Sequence, residues 1–151
     1  MEEIIIGDAR QEDIPDLVHL LDELFSIEQD FTPDHVKQAQ GLALLIANPS
    51  SARIKIARNE QGKVIGMVSA QLVISTAQGA PSAWVEDMVV SVKYRGKGIG
   101  KTLLESVLAW AKENGATRAQ LLMDISNEPA SGYYSHLGWQ STLLQARRVF
   151  L

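Results

Sequence analysis

The stretch best equipped for chemistry is Tyr94-Arg95-Gly96-Lys97-Gly98-Ile99-Gly100-Lys101-Thr102. Its three glycines stand at alternate positions, where backbone can approach a ligand without a Cβ in the way. The Val- and Trp-containing residues 83–92 before it read as a strand. Ile99, Leu103, Leu104, Val107, Leu108 and Ala111 after it keep the spacing of an amphipathic helix. The turn therefore opens a helix, whose first amides lack intrahelical acceptors and lie at the positive end of the helix dipole. A phosphate fits such a place, and the helix end contributes ~0.3–1 kcal/mol, rising to ~2 when partly buried. Lys93, Arg95, Lys97 and Lys101 add positive charge with no acid among them. A solvated basic loop is the plainer alternative.

Three phosphate-binding patterns compete for this turn. The nucleoside-triphosphate loop needs four residues between its first glycine and its Gly-Lys-Ser/Thr ending, but only three separate Gly96 from Gly100. The dinucleotide fingerprint needs Gly-x-Gly-x-x-Gly, and this turn runs Gly-x-Gly-x-Gly. The third pattern fits. Arg95-x-x-Gly98-x-Gly100 is the Arg/Gln-x-x-Gly-x-Gly/Ala signature of the GNAT superfamily of N-acetyltransferases, which this sequence resembles over most of residues 63–139. Trp84-Val85-Glu86-Asp87-Met88-Val89-Val90 looks like the central strand of that family, and Asn127, Ala130, Tyr134 and Gly138-Trp139 look like its second motif. The first 62 residues match in pattern alone.

The resemblance implies a GNAT-like acyl-CoA N-acyltransferase fold. It also implies an enzyme that moves an acetyl group from acetyl-CoA directly to a primary amine of a small molecule or peptide, in a ternary complex. Backbone at Gly96, Gly98, Ile99, Gly100 and Lys101 is then expected to hold the CoA pyrophosphate, with charge from Arg95 and Lys97. The pantetheine arm is expected along Met88, Val89 and Val90, beside a bulge that aims an amide at the thioester oxygen. Such a donor typically contributes ~2.7–4 kcal/mol to lowering the barrier. Asn127 is implied to touch the CoA amide arm, while an Asn at a helix start also serves as an N-cap. Tyr134 is implied as the general acid for the departing thiol and as a cosubstrate contact.

The acid–base requirement follows from reference values. An amine of pKa ~10.4 is neutral in about one molecule in 2,500 at pH 7, so a base or desolvation must deliver it. Glu86 is the first candidate, although an ordinary Glu at ~4.3 needs burial or a relaying water to serve. Binding the ammonium and a purely structural role are its alternatives. Asp87 points to the opposite face under strict strand alternation, unless a bulge intervenes. A tyrosine at ~10 can protonate a thiolate whose acid has a pKa of ~8.5. Tyr133, about 100° around the helix from Tyr134, reads as core. Trp84 and Trp139 read as core in preference to an acceptor pocket, Trp110 as helix packing and His136 as exposed. The three histidines lack metal-ligand spacing, so no metal is expected. A non-catalytic acyl-CoA-binding or regulatory module is the alternative function, against which Tyr134 and Glu86 count. An enzyme of nucleoside triphosphates built on the Gly-Lys-Thr ending is a third.

The elements that must position these residues run β-α-α-β-β-β-α-β-α-β. A strand at Ile4–Ala9 precedes a helix from Asp13 to about Ile27. Thr32-Pro33-Asp34 then starts a helix with Thr32 as N-cap and Pro33 first, running to about Ala47. Residues 53–58 and 63–74 form a hairpin, 76–82 a loop and 83–92 a strand. After the helix that follows the turn come a strand at 119–125, a short helix at 127–137, and final strands from Gly138-Trp139 toward Phe150. The expected fold is α/β (α+β mixed), with a central mixed, mostly antiparallel sheet flanked by helices on both faces in a single domain over 1–151.

Composition agrees with a soluble globular protein. The 151 residues are 46% hydrophobic, and 14 bases against 18 acids leave a charge of −4. Eleven of the acids fall in residues 1–40, usually a solvated face but also able to steer a cationic substrate. A general nucleic-acid binder would be basic. With no cysteine, disulfides, thiolate zinc sites and cysteine nucleophiles are excluded. The N-terminus lacks the basic and apolar regions of a signal peptide, and the longest apolar run is far short of a membrane span, so a cytoplasmic location with no membrane partner is expected. A homodimer fits the general prior for small soluble enzymes, with no interface readable. The amine acceptor is not readable either.

Overall fold

The computed structural model describes residues 2–28, 30 and 32–151. The chain forms two compact units, one ending at Leu121 and a second comprising Leu122–Leu151.

The first unit is a five-stranded sheet in the order β1-β2-β3-β4-β5, comprising β1 (Ile5–Asp8), β2 (Ala52–Arg58), β3 (Val64–Ser75), β4 (Ala80–Val90) and β5 (Arg118–Leu121). The first three pairings are antiparallel and β4–β5 is parallel. A parallel pair needs a crossover, and helix α3 (Ile99–Glu113) supplies it. Helices α1 (Ile14–Ile27) and α2 (His35–Ile46) precede β2. This is the mixed, mostly antiparallel sheet expected.

Helices cover both faces because strand residues alternate. Ile54, Ile56, Met67 and Val89 pack in one cluster with Leu17, Val18, Leu20 and Leu21 of α1 and Leu42 of α2. Their neighbours in sequence face α3. Arg53 lies over the Trp110 ring at 5.4 Å, and a Cβ on Gly66 would stand 3.0 Å from Leu103 Cδ1. Gly66 thus lets α3 approach the sheet closely. Trp110 is buried, as its helical spacing predicts.

Several boundaries move from their expected places, each for a local reason. Asp34, and not Thr32, caps α2: its carboxylate accepts from Lys37 N at 3.1 Å while Gln38 Oε1 accepts from Asp34 N at 2.7 Å. This reciprocal pair occupies two end donors at once. β4 begins at Ala80, inside the expected loop, because Pro81 pairs opposite Ile74 near the strand's start, where a missing N–H is tolerated.

The acids of the N-terminal third are largely structural. Asp13 takes a two-oxygen contact from Arg58, at 2.7 Å to each oxygen, tying β2 to the start of α1. Asp8 pairs with Arg53 and Lys55, Asp16 accepts from Val64 N, and Asp22 contacts His35 and Gln38.

The second unit contains α4 (Glu128–His136), close to its expected span. The final strands are not formed: among the described residues, none from Trp139 onward lies in a helix or strand.

Asp13 is nearly fully buried, so removing its partner leaves an uncompensated charge, which costs about 3 kcal/mol. Arg58→Leu is expected to lower the unfolding free energy by about that amount in urea titrations, and a loss under 1 kcal/mol would show the pair to be marginal.

Candidate active site

β4 carries one residue more than the partner it pairs with. Val89 lies opposite Met67 and Glu86 opposite Ser69, so β3 has only Val68 where β4 has Asp87 and Met88. The extra residue is accommodated at Asp87, whose φ of 56° is the single positive value at a non-glycine among the described residues. Asp tolerates this left-handed conformation better than most residues, at a cost of about 1–3 kcal/mol. The bulge ends the alternation that would have sent Asp87 to the opposite face.

The other edge of β4 opens at the same place. β5 pairs with β4 only from Ser82 to Val85. From Glu86 to Val90, β4 is paired to β3 alone, and Asp87 and Met88 have no partner in that register either. Val89 is buried in the core, which anchors the strand past the bulge, while Met88 and Val90 are half-buried.

Beyond β4 the chain passes a short 3-10 turn at Val92–Tyr94 and enters the glycine turn. Gly96 and Gly98 have φ of 76° and 80°, and Gly98 is the N-cap of α3. Nothing lies within 4 Å of where a Cβ on either would stand, so the backbone here is open to an approaching group. Ile99 points into the core and fixes the start of the helix, leaving Gly100 and Lys101 in its first turn. The basic side chains are partly tied. Arg95 Nε donates to Val90 O at 2.8 Å, and Lys97 lies over the Tyr94 ring at 5.3 Å. The Tyr94 hydroxyl in turn accepts from Asn59 Nδ2 at 3.1 Å. The residues present therefore fit a diphosphate through open backbone at a helix start, with positive side chains at its margin.

The two carboxylates of the strand differ sharply. Glu86 is exposed, and its Oε1 accepts from Trp84 Nε1 at 2.6 Å. That bond explains why Trp84 is half-buried and not core: its indole N–H finds its partner two residues along the same face. Asp87 is partly buried, and burial, followed by the charges of Glu86 and Glu28, raises its pKa to about 7. Glu28, at the C-terminal end of α1, carries no sequence signal that connects it with Asp87. Only the packing of α1 against the sheet brings them into range.

In the second unit, Asn127 caps α4, its Oδ1 accepting from Ala130 N at 3.1 Å. The Tyr134 ring meets Trp139 edge-on with centroids 5.9 Å apart, and Tyr133 at 5.4 Å. Tyr133 is 37% exposed and so is not core, because α4 has no buried face. Trp139 is half-buried and His136 exposed. Among the described residues no cluster of three or more metal-ligating side chains occurs, and no helix is long and apolar enough to cross a membrane.

The family model described as Acetyltransferase (GNAT) family matches residues 14–139. A Bacillus subtilis (strain 168) protein provisionally named as a ribosomal protein bS18-alanine N-acetyltransferase is 30% identical over 121 residues, covering 80% of this chain and 74% of that protein. N-acetyltransferase 8 of Rattus norvegicus is 31% identical over 81 residues, covering 54% of this chain and 36% of its own length. The crystal structure of glucosamine-6-phosphate N-acetyltransferase from Arabidopsis thaliana superimposes with a TM-score of 0.78 at 19% identity, covering 99% of each chain.

The raised Asp87 carboxyl carries a stability consequence whose sign is fixed. Between its ordinary value of 3.8 and about 7, the folded state holds a proton that the unfolded state has released. Below that window nothing is lost. As pH rises through it, folding stability falls, by no more than roughly 4 kcal/mol in all. Asp87→Asn, which keeps the left-handed conformation, is expected to melt several degrees above the parent protein at pH 8, with the gap closed by pH 4. Parallel thermal melts at the two pH values check this.

Proposed function

The chain belongs to the GNAT acetyltransferase family, whose members are acetyl-CoA-dependent N-acetyltransferases, and from that premise we propose that it acetylates a primary amine directly, with Asp87 as the base and Tyr134 as the acid. The full span 1–151 acts as one acetyltransferase domain, a reading supported by the family match running through both units.

The observation that carries the proposal is the bulge of β4, which sets a carboxyl of pKa about 7 beside strand backbone that has lost its second neighbour. Acetyl-CoA supplies the activated thioester. The open backbone at Gly96, Gly98 and the first turn of α3 receives its diphosphate, and the free edge at Met88–Val90 receives its extended arm by strand-like pairing. An amide at Met88 or Val89, at the bulge or just past it, serves as the oxyanion donor.

The acceptor arrives as an ammonium, which the charges of Glu86 and Glu28 attract. Burial first, and then the same two charges, raise the affinity of Asp87 for a proton, so the carboxylates that attract the cation also help to bring the base near neutrality. Glu86, exposed and bonded to Trp84, is then a binding group and not the base. Tyr134 returns a proton to the departing thiolate. Asn127 steadies the start of the helix that carries it and contacts the CoA arm. The acceptor class is a primary amine of a small molecule or of a peptide. The N-terminal alanine named for the Bacillus subtilis relative is one peptide acceptor to include in a screen.

Thiol release from acetyl-CoA across a panel of amines and peptide N-termini tests the proposal. Turnover with at least one acceptor is expected, and CoA binding with no turnover on any would favour a non-catalytic acyl-CoA-binding module. With an acceptor in hand, kcat/KM should rise with pH to a plateau above about 7. Asp87→Asn should lower turnover ~10²–10⁴-fold and remove that inflection, whereas Glu86→Gln should retain it. The reverse pattern would transfer the base role to Glu86. Tyr134→Phe should keep CoA affinity and lose ~10²–10⁴ in turnover. Gly98→Val should weaken CoA binding in calorimetry, since valine both blocks the backbone and resists a positive φ.

A further inference from the structure

Arg95, Lys97 and Lys101 flank the glycine turn, and each is held differently. Arg95 donates to the Val90 carbonyl at 2.8 Å, and Lys101 faces Glu105 at 3.9 Å, one helical turn on. Lys97 stands over the Tyr94 ring at 5.3 Å and forms no ion pair among the described residues. A carboxylate that orients a lysine also cancels its charge. An aromatic face orients the ammonium and leaves its charge available to an anion. Lys97 needs such orienting, because it is exposed between Gly96 and Gly98 and its long stem has much rotamer freedom to lose.

The ring is fixed in turn from outside the motif. Tyr94 closes the 3-10 turn at Val92–Tyr94, its N–H donating to Ser91 O at 2.9 Å. Its hydroxyl accepts from Nδ2 of Asn59, 35 residues upstream, at 3.1 Å. A longer contact of 3.5 Å runs from the same hydroxyl to Glu2 Oε2. Asn59 is buried at the turn between β2 and β3, and its Oδ1 accepts from Gln61 N at 3.0 Å and from Lys63 N at 2.9 Å. Those two backbone donors decide which end of the amide is oxygen, so the NH₂ end must face Tyr94. The hairpin turn thus holds the ring, and the ring holds the lysine.

We propose that Asn59 and Tyr94 are positioning residues for the cosubstrate, which hold the Lys97 ammonium, its charge uncancelled, at the rim of the glycine turn before the diphosphate arrives. The inference rests on the reading that this turn receives CoA. Both residues act through Lys97 and not on the reacting atoms, so their contribution falls on cosubstrate affinity. Orienting the lysine in advance removes part of the ordering cost that binding would otherwise carry. An exposed cation–π contact of this kind corresponds to about 2–5-fold in affinity.

Calorimetry with CoA on the full chain tests this. Tyr94→Leu is expected to weaken binding ~2–5-fold, and Lys97→Ala about tenfold. The double variant Tyr94→Leu/Lys97→Ala should bind as Lys97→Ala does alone, because Tyr94 acts through the lysine. In a Lys97→Arg background, whose cation also stacks on an aromatic face, the dependence on Tyr94 should return. Tyr94→Phe keeps the ring but frees it from Asn59. It should show a smaller loss that Lys97→Ala likewise removes, which preserves the test if the leucine variant does not fold. With an acceptor in hand, Tyr94→Leu should raise the KM for acetyl-CoA and keep kcat. A Tyr94→Leu protein that binds CoA as the parent does, or losses that multiply in the double variant, would overturn the positioning role and leave the turn as the CoA site. A parent protein that does not bind CoA would overturn the reading of the turn, and this inference with it.

Discussion

One extra residue in β4 is the constraint on which the candidate site rests. Between the Met67–Val89 and Ser69–Glu86 pairs, two residues face one. The mismatch cannot be absorbed by an ordinary extended backbone, so Asp87 takes a left-handed conformation and the strand leaves its register. Three effects follow from that single insertion. A carboxylate that alternation would have turned to the other face is held where burial and two neighbouring carboxylates raise its pKa. Backbone groups come free of the ladder. The strand direction changes near the point where β5 ceases to follow, which leaves the stretch to Val90 with an open side.

The rest of the first unit keeps that arrangement in place. Val89, just past the bulge, is locked among Leu17, Leu21 and Met67, so the strain at Asp87 cannot relax by sliding the strand. On the other face, Gly66 admits Leu103 closely, and α3 is thereby seated with its open N-terminal turn immediately after β4. The hydrogen bond from Arg95 to Val90 O staples the turn to the end of the same strand. Burial of the helix's apolar stripe therefore positions its polar end, a common economy in which the core holds the site without being part of it.

Most elements were legible because their signals are local. The spacing of α1 and α3, the Gly62 turn between β2 and β3 and the Asn127 cap of α4 each depend on residues within a few positions of one another. The misreadings share a different origin. Thr32-Pro33 has the composition of a helix start, but the reciprocal bonds of Asp34 and Gln38 win over it. Tyr133 has core chemistry on a helix that buries nothing, and Trp84 yields its core position to a bond with Glu86. The residues after Trp139 have strand-forming composition, but strand propensity expresses itself only against a partner, and none of them lies in a helix or strand among the described residues.

The sequence by itself determined the alternation of elements, the glycine turn at a helix start and the family resemblance, since these reside in composition and spacing over a few residues. It also supplied two adjacent carboxylates and, by strict strand alternation, put Glu86 first. Tertiary structure alone decided which of the two is buried. Whether Glu86 or Asp87 is buried depends on a register mismatch with β3, a strand roughly twenty residues earlier in the chain, and on the approach of Glu28 from α1. The pKa of a carboxyl is a property of its surroundings, and those surroundings are assembled from residues that no local pattern connects.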